Sequence, residues 1–247
     1  MHHRGNSTVN KSEIEGREVL ITGSSSGIGR AISEHLLELG ARVVGIARDH
    51  KKFLPNTNMY TPYTVDVTEL DELPRFIKKI LSNHPNLNGF VANAGYGQFD
   101  GLENFSPSQI SSYINTNLTS HVIITRLILP VLKTKKQGDI VFIGSEAALS
   151  GTKKATLYCA TKFALRGFSQ ALREECADKN LRVGLVNPGM TKTPFFKNLS
   201  FSPGDDPLNT VHLDDIAGAV ISIFLAKPGT VIEEVKLAPL KKVIKFD

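Results

Sequence analysis

Tyr158 and Lys162 stand four positions apart in a stretch with helical patterning, so a helix sets them on one face about one turn apart. A phenol with its ordinary pKa of about 10 is a poor base at neutral pH. A neighbouring ammonium favours the phenolate, so the spacing predicts a Tyr158 whose pKa is shifted downward, able to donate a proton and to take one back. The same spacing also describes a buried tyrosine beside a surface lysine. Ser145 adds weight. It ends a β-branched run a short way before Tyr158, where the carboxyl edge of a parallel sheet presents groups to ligands. Its hydroxyl could hold a carbonyl oxygen beside the phenol. A nucleophilic Ser145 is not indicated, because it does not stand in a G-x-S-x-G turn and has no His-Asp pair placed to activate it. The histidines are dispersed without H-E-x-x-H or similar spacing, so no metal is expected.

A second chemical signal lies near the N-terminus. Gly23-Ser24-Ser25-Ser26-Gly27-Ile28-Gly29 joins a strand-like run to a helix-like one. Glycines there permit a tight turn and close backbone approach, and the helix N-terminus attracts a pyrophosphate. A plain glycine-rich turn would look similar. At the end of the next strand, where an acidic residue would take the ribose 2′-hydroxyl of NAD, the sequence reads Ile46-Ala47-Arg48. A guanidinium in that place suits a 2′-phosphate, so NADP is favoured over NAD, unless Asp49 neutralises Arg48.

The elements that must position these groups alternate along the chain. Strands are expected at Glu18–Thr22, Arg42–Ala47, Tyr60–Val67, Leu87–Ala92, Asp139–Ser145, Arg182–Asn187 and Val231–Leu237. Helices are expected at Arg30–Leu39, Leu70–Leu81, Ser108–Leu132, Thr156–Asn180 and Leu213–Leu225. This order predicts an α/β fold: a doubly wound parallel, Rossmann-like sheet with helices on both faces, in a single domain. Residues 1–17 read as a polar tail and 18–247 as a dinucleotide-binding catalytic domain. The Pro- and Gly-rich stretch at about 190–211 reads as a substrate loop or lid with local helix.

Composition narrows the classes. The chain has 247 residues, 41% of them hydrophobic and 21% charged, which is ordinary for one globular domain. Its net charge of +5 comes from scattered Lys and Arg, and the clusters Lys133, Lys135, Lys136 and Lys241, Lys242, Lys245 lack interleaved aromatics. Solvated faces are therefore favoured over a nucleic-acid surface. Two cysteines are too few for a disulfide framework and suit a cytoplasmic setting. The apolar stretch Val122–Leu132 is too short to span a bilayer and is interrupted by Arg126 and Pro130.

Taken in order, these residues resemble the short-chain dehydrogenase/reductase family in its compact single-domain form, from about Glu18 to Leu237. The glycine motif matches Gly23, Gly27 and Gly29, and the Asn-Ala-Gly motif matches Asn93, Ala94 and Gly95. The acidic adenine contact falls on Asp66, next to Val67. The Pro-Gly near the nicotinamide falls on Pro188 and Gly189, followed by Thr191 and by Thr193 in the carboxamide-contacting place. The resemblance implies a catalytic tetrad of Asn117, Ser145, Tyr158 and Lys162, with Lys162 also holding the nicotinamide ribose and Asn117 a water of the proton relay. Some NADP-using members carry a basic residue before the second glycine, and here that place is Ser26. The implied reaction is hydride transfer between NADP(H) and a carbonyl or secondary alcohol, in a homotetramer or homodimer. Phe195, Phe196 and Phe201 could line an apolar lid or simply pack, and Lys153 and Lys154 could meet an acidic substrate or solvent. A small hydroxy acid, a hydrophobic ketone and a lipid-pathway ketone all fit. Two rivals are an NAD-dependent alcohol or hydroxy-acid dehydrogenase and a non-catalytic NADP-binding regulator or scaffold.

Overall fold

The computed structural model describes residues 13–246. Most of the segment read as a polar tail, residues 1–12, lies outside the described residues. Its remainder is anchored, with Ile14 fully buried and Arg17 8% exposed. Seven parallel strands form one sheet: β1 (Glu18–Thr22), β2 (Arg42–Ala47), β3 (Tyr60–Thr64), β4 (Gly89–Ala92), β5 (Gly138–Ile143), β6 (Leu181–Pro188) and β8 (Glu234–Leu237). Their order across it is β3-β2-β1-β4-β5-β6-β8. The central strands are apolar on both faces: β1, β4 and β5 are buried at every position, as a sheet covered on both sides requires.

One face packs on α1 (Gly27–Glu38) and α6 (Leu213–Leu225), through Ile32 and Leu36 against Ile216, Val220 and Phe224. The other packs on α2 (Leu73–Asn83), α4 (Ser120–Lys135) and α5 (Thr156–Cys176), through Ile77, Ile124, Ile128 and Leu165. The strand order reverses between β1 and β4, so their carboxyl ends open a crevice, the usual binding place in such sheets.

Several boundaries depart from the sequence expectation. The strand expected to reach Val67 stops at Thr64, because Asp66 turns back to accept from Thr68. The helix expected over Ser108–Leu132 is interrupted. It divides into α3 (Pro107–Ile114), one π-helical turn at Asn115–Thr119, and α4. Such turns are rare and occur often at functional sites. The segment 190–211 has short helical turns at Pro194–Phe196 and Pro207–Asn209. It also holds a strand that was not expected, β7 (Phe201–Pro203), paired antiparallel with β9 (Ile244–Phe246). Each of these strands is three residues long, and neither carries a local signal; the pairing is a purely long-range event.

Candidate active site

The site starts where β5 ends. Gly144 continues the strand past Asn187, and a Cβ there would lie 2.0 Å from Asn187 Oδ1, so no larger residue fits. Ser145 follows, its N–H donating to Asn187 Oδ1 at 3.0 Å and its Oγ accepting from Ala147 N–H at 3.1 Å. Helix α5 then brings Tyr158 and Lys162 up on one face, and the Tyr158 phenol comes up beside Ser145. Lys162 is only 5% exposed. Its Nζ donates to Ile143 O at 2.9 Å and lies 5.8 Å from the centre of the Tyr158 ring.

The electrostatics reverse one expectation. Burial pushes the Tyr158 phenol up to about 12, and the neighbouring Ser145 hydroxyl only partly offsets that rise. The downward shift expected from Lys162 does not occur. Desolvation of the phenolate dominates, and the Lys162 ammonium is itself pressed down to about 8 by burial. As it stands, the pair is a firmly protonated phenol above a lysine that gives up its proton readily.

Asn117 sits in the π-helical turn, fully buried. Its Nδ2 donates to Tyr113 O at 3.1 Å and its Oδ1 accepts from Tyr96 N–H at 3.1 Å. Its side chain thus holds main chain, pinning the segment after β4 where Gly95 leaves space for it. One turn on, His121 is 1% exposed and neither of its ring nitrogens has a hydrogen-bond partner. The Ala94 main chain faces the ring without forming a proper bond. Burial, and then the Lys162 charge, hold its pKa at about 3. Sequence patterning missed His121, although its i+4 spacing from Asn117 was available.

Beside this cluster, the glycine loop is built to admit a dinucleotide. Gly23 has φ +68° and Gly27 φ +54°, and a Cβ on Gly29 would lie 2.3 Å from Gly23 O. Asn93 buttresses the turn, its Nδ2 donating to Thr22 O at 2.9 Å; its N–H and that of Ala94 donate to Thr22 Oγ1 at 3.0 and 3.1 Å. Ser26 precedes α1 in extended conformation without a side-chain cap, and no acidic residue occupies the first turn. The amide groups there are therefore open to a phosphate, and the cradle fits the cofactor the sequence implies. Ser25 and Ile28 are half-buried along it. Arg48 is exposed just past β2, and Asp49 turns its Oδ1 to Lys51 N–H instead of neutralising Arg48. Asp66 and Val67 follow β3 on the same edge.

Past Pro188 and Gly189, Thr191 donates to Gly189 O and Thr193 caps the turn carrying Phe195. Thr193 lies 3.5 Å from the place of a Gly27 Cβ, so this segment overhangs the glycine loop. Phe195 packs 5.8 Å from the Tyr158 ring, and Phe99 5.2 Å. Phe196 contacts Phe195 and Phe201, and no ring contact joins it to Tyr158 among the described residues. Phe99 was missed, since nothing in its neighbourhood marks it. Lys153 and Lys154 are exposed. Among the described residues no three His, Cys, Asp or Glu are gathered as metal ligands, and no helix is long and apolar enough to cross a membrane.

Comparison with known proteins agrees with this geometry. The short chain dehydrogenase family profile matches residues 17–202. The chain is 28% identical to a sepiapterin reductase of Chlorobaculum tepidum, over 93% of this chain and 98% of that protein. Among solved structures it resembles a metagenomic short-chain oxidoreductase in complex with NADP, with TM-score 0.79 and 28% identity over 93% of this chain and all of that one. A 3-ketoacyl-(acyl-carrier-protein) reductase from Brucella melitensis complexed with NADH shares the fold, with TM-score 0.80 and 23% identity over 90% of this chain and 97% of that one. The chain belongs to the short-chain dehydrogenase/reductase family of oxidoreductases.

Proposed function

We propose that the protein is an NADPH-dependent reductase of apolar, ring-bearing ketones, with Tyr158 as the proton donor. The observation that carries this reading is the half-buried phenol of Tyr158, held protonated beside the Ser145 hydroxyl and packed against the rings of Phe99 and Phe195. The residues of the glycine loop, with Asn93, Ala94, Asp66 and Thr193 around it, would hold the dinucleotide, and exposed Arg48 would take its 2′-phosphate. When bound, that group supplies the hydride that no side chain can. Ser145 orients the ketone oxygen, and Tyr158 O–H passes its proton to that oxygen as the alcohol forms. The phenolate left behind is stabilised by the Lys162 ammonium, whose charge it faces only at that moment. Asn117 keeps the main chain at Tyr96 in place. The NADP complex of the metagenomic relative supports the choice of cofactor. The aromatic wall supports a flat apolar ketone over a small hydroxy acid, because Phe99 and Phe195 offer no partner for a carboxylate. The reading includes a cytoplasmic homo-oligomer, dimer or tetramer, which light scattering would test.

The test is a panel of aryl ketones, alkyl ketones and 3-oxo acids, followed by consumption of NADPH or NADH. Faster turnover of aryl ketones with NADPH is expected. Preference for 3-oxo acids would overturn the substrate class, and equal use of NADH would overturn the cofactor. No turnover across the panel would favour a binding protein without catalysis.

A further inference from the structure

A polar line runs from the edge of the sheet to Ser145, and the proton chemistry above makes no use of it. Asn187 lies near the end of β6 and is fully buried. Its Oδ1 accepts from Ser145 N–H at 3.0 Å, and its Nδ2 donates to Glu234 Oε1 at 2.6 Å. Glu234 opens β8, the edge strand, and is gripped from α5 by Arg166. The Arg166 Nε reaches both carboxylate oxygens at 3.0 Å, and a second guanidinium nitrogen reaches Oε2 at 2.9 Å. Arg166 lies one helical turn beyond Lys162, so one face of α5 carries Tyr158, Lys162 and this anchor in succession.

The chemistry of the chain gives it a direction. An amide can sit either way round, donor or acceptor toward a given neighbour. An ionised carboxylate only accepts, so Glu234 forces Nδ2 of Asn187 toward itself and leaves Oδ1 for Ser145. The amide has no room to retreat, because it is pressed against Gly144. We propose that Asn187, oriented by Glu234 and Arg166, is a positioning residue that fixes the main chain of Ser145 and so the place of its hydroxyl beside Tyr158. The edge strand β8 thereby enters the chemical step without touching substrate. This inference rests on the reading that Ser145 orients the ketone oxygen.

Reversing the polarity of this line tests its role. Glu234→Gln is nearly isosteric, but its amide can donate to Asn187 Oδ1, letting Asn187 turn a donor toward the Ser145 N–H. With acetophenone as probe, kcat is expected to fall about tenfold, while KM and the NADPH dissociation constant stay within about twofold. Hydrogen exchange at the Ser145 amide should quicken in the same variant. Asn187→Asp alone sets two carboxylates face to face and should also slow turnover. Combined with Glu234→Gln it restores an acceptor toward Ser145 and a donor toward position 187, and kcat should recover to within about threefold of wild type. A merely structural role would not give recovery in the double variant. Unchanged kcat and exchange in Glu234→Gln would overturn the proposal, as would a double variant no better than the singles. If Asn187→Asp fails to fold, Glu234→Gln decides on exchange and kcat together. Tyr158→Phe runs alongside: if it keeps turnover, the proposed function fails; if it loses turnover while Glu234→Gln stays normal, only the positioning role fails.

Discussion

The two ends of β5 each carry buried charge, and they treat it in opposite ways. At the amino end Asp139, 1% exposed, lies between Arg17 and Arg182 and is paired with both. The guanidinium groups reach further, to Phe224 O at 3.3 and 3.0 Å and to Asn88 O at 3.2 Å, and Arg17 lies over the Phe224 ring. Charge there is matched and ties the end of α6 to the sheet. At the carboxyl end Lys162, 5% exposed, has no carboxylate, and the neighbouring His121 is held neutral with no partner for either nitrogen. Matched charge secures the fold, whereas unmatched charge is held ready for a reaction that will briefly supply its partner.

That contrast can be broken in a definite order. Asp139→Ala should have the largest effect, leaving the buried Arg17 and half-buried Arg182 guanidinium groups uncompensated at a loss of about 3–5 kcal/mol in unfolding free energy. Denaturant melts would read it, and the folded fraction should keep its kcat. If Asp139→Ala melts like wild type, the amino end is not the anchor described.

Lys162→Met should act in the opposite sense at the other end, raising stability by about 2 kcal/mol at pH 7 while turnover falls about a hundredfold. The lysine's folded pKa, about 8, lies below its ordinary 10.5. Between those values the unfolded chain binds more protons, so wild-type stability rises with pH through that window. The advantage of Lys162→Met should therefore shrink from pH 8 upward and be gone above 10.5. A constant advantage across that range would mean that burial of the ammonium is not its source.

The smallest effect is expected at the rim. Arg48→Ala should weaken NADPH about tenfold in a binding titration, leave NADH unchanged and not move the melt. Equal losses for both cofactors would remove Arg48 from the 2′-phosphate.

Much of this was legible in the sequence where the signal is local. The glycine spacing, the β-branched runs and the helical spacing of Tyr158 and Lys162 report backbone geometry directly, and the strands and helices formed near their expected places. What escaped was long-range. The π-helical turn at Asn117 packs against α5, far along the chain, and nothing in Asn115–Thr119 announces it. The β7–β9 pair joins segments some forty residues apart. The shift of Tyr158 went the wrong way because spacing shows a neighbour's charge and hides the depth of burial that competes with it. Asn187 was passed over as an ordinary strand residue before Pro188, since its two partners come from different parts of the chain.

The role of Tyr158 as proton donor is tested by single-turnover consumption of NADPH by Tyr158→Phe, beside its melt and its NADPH affinity. A loss of about a thousandfold in rate is expected, with melt and affinity close to wild type, because the phenol gives up a proton and carries little of the fold. A rate within about threefold of wild type would contradict it.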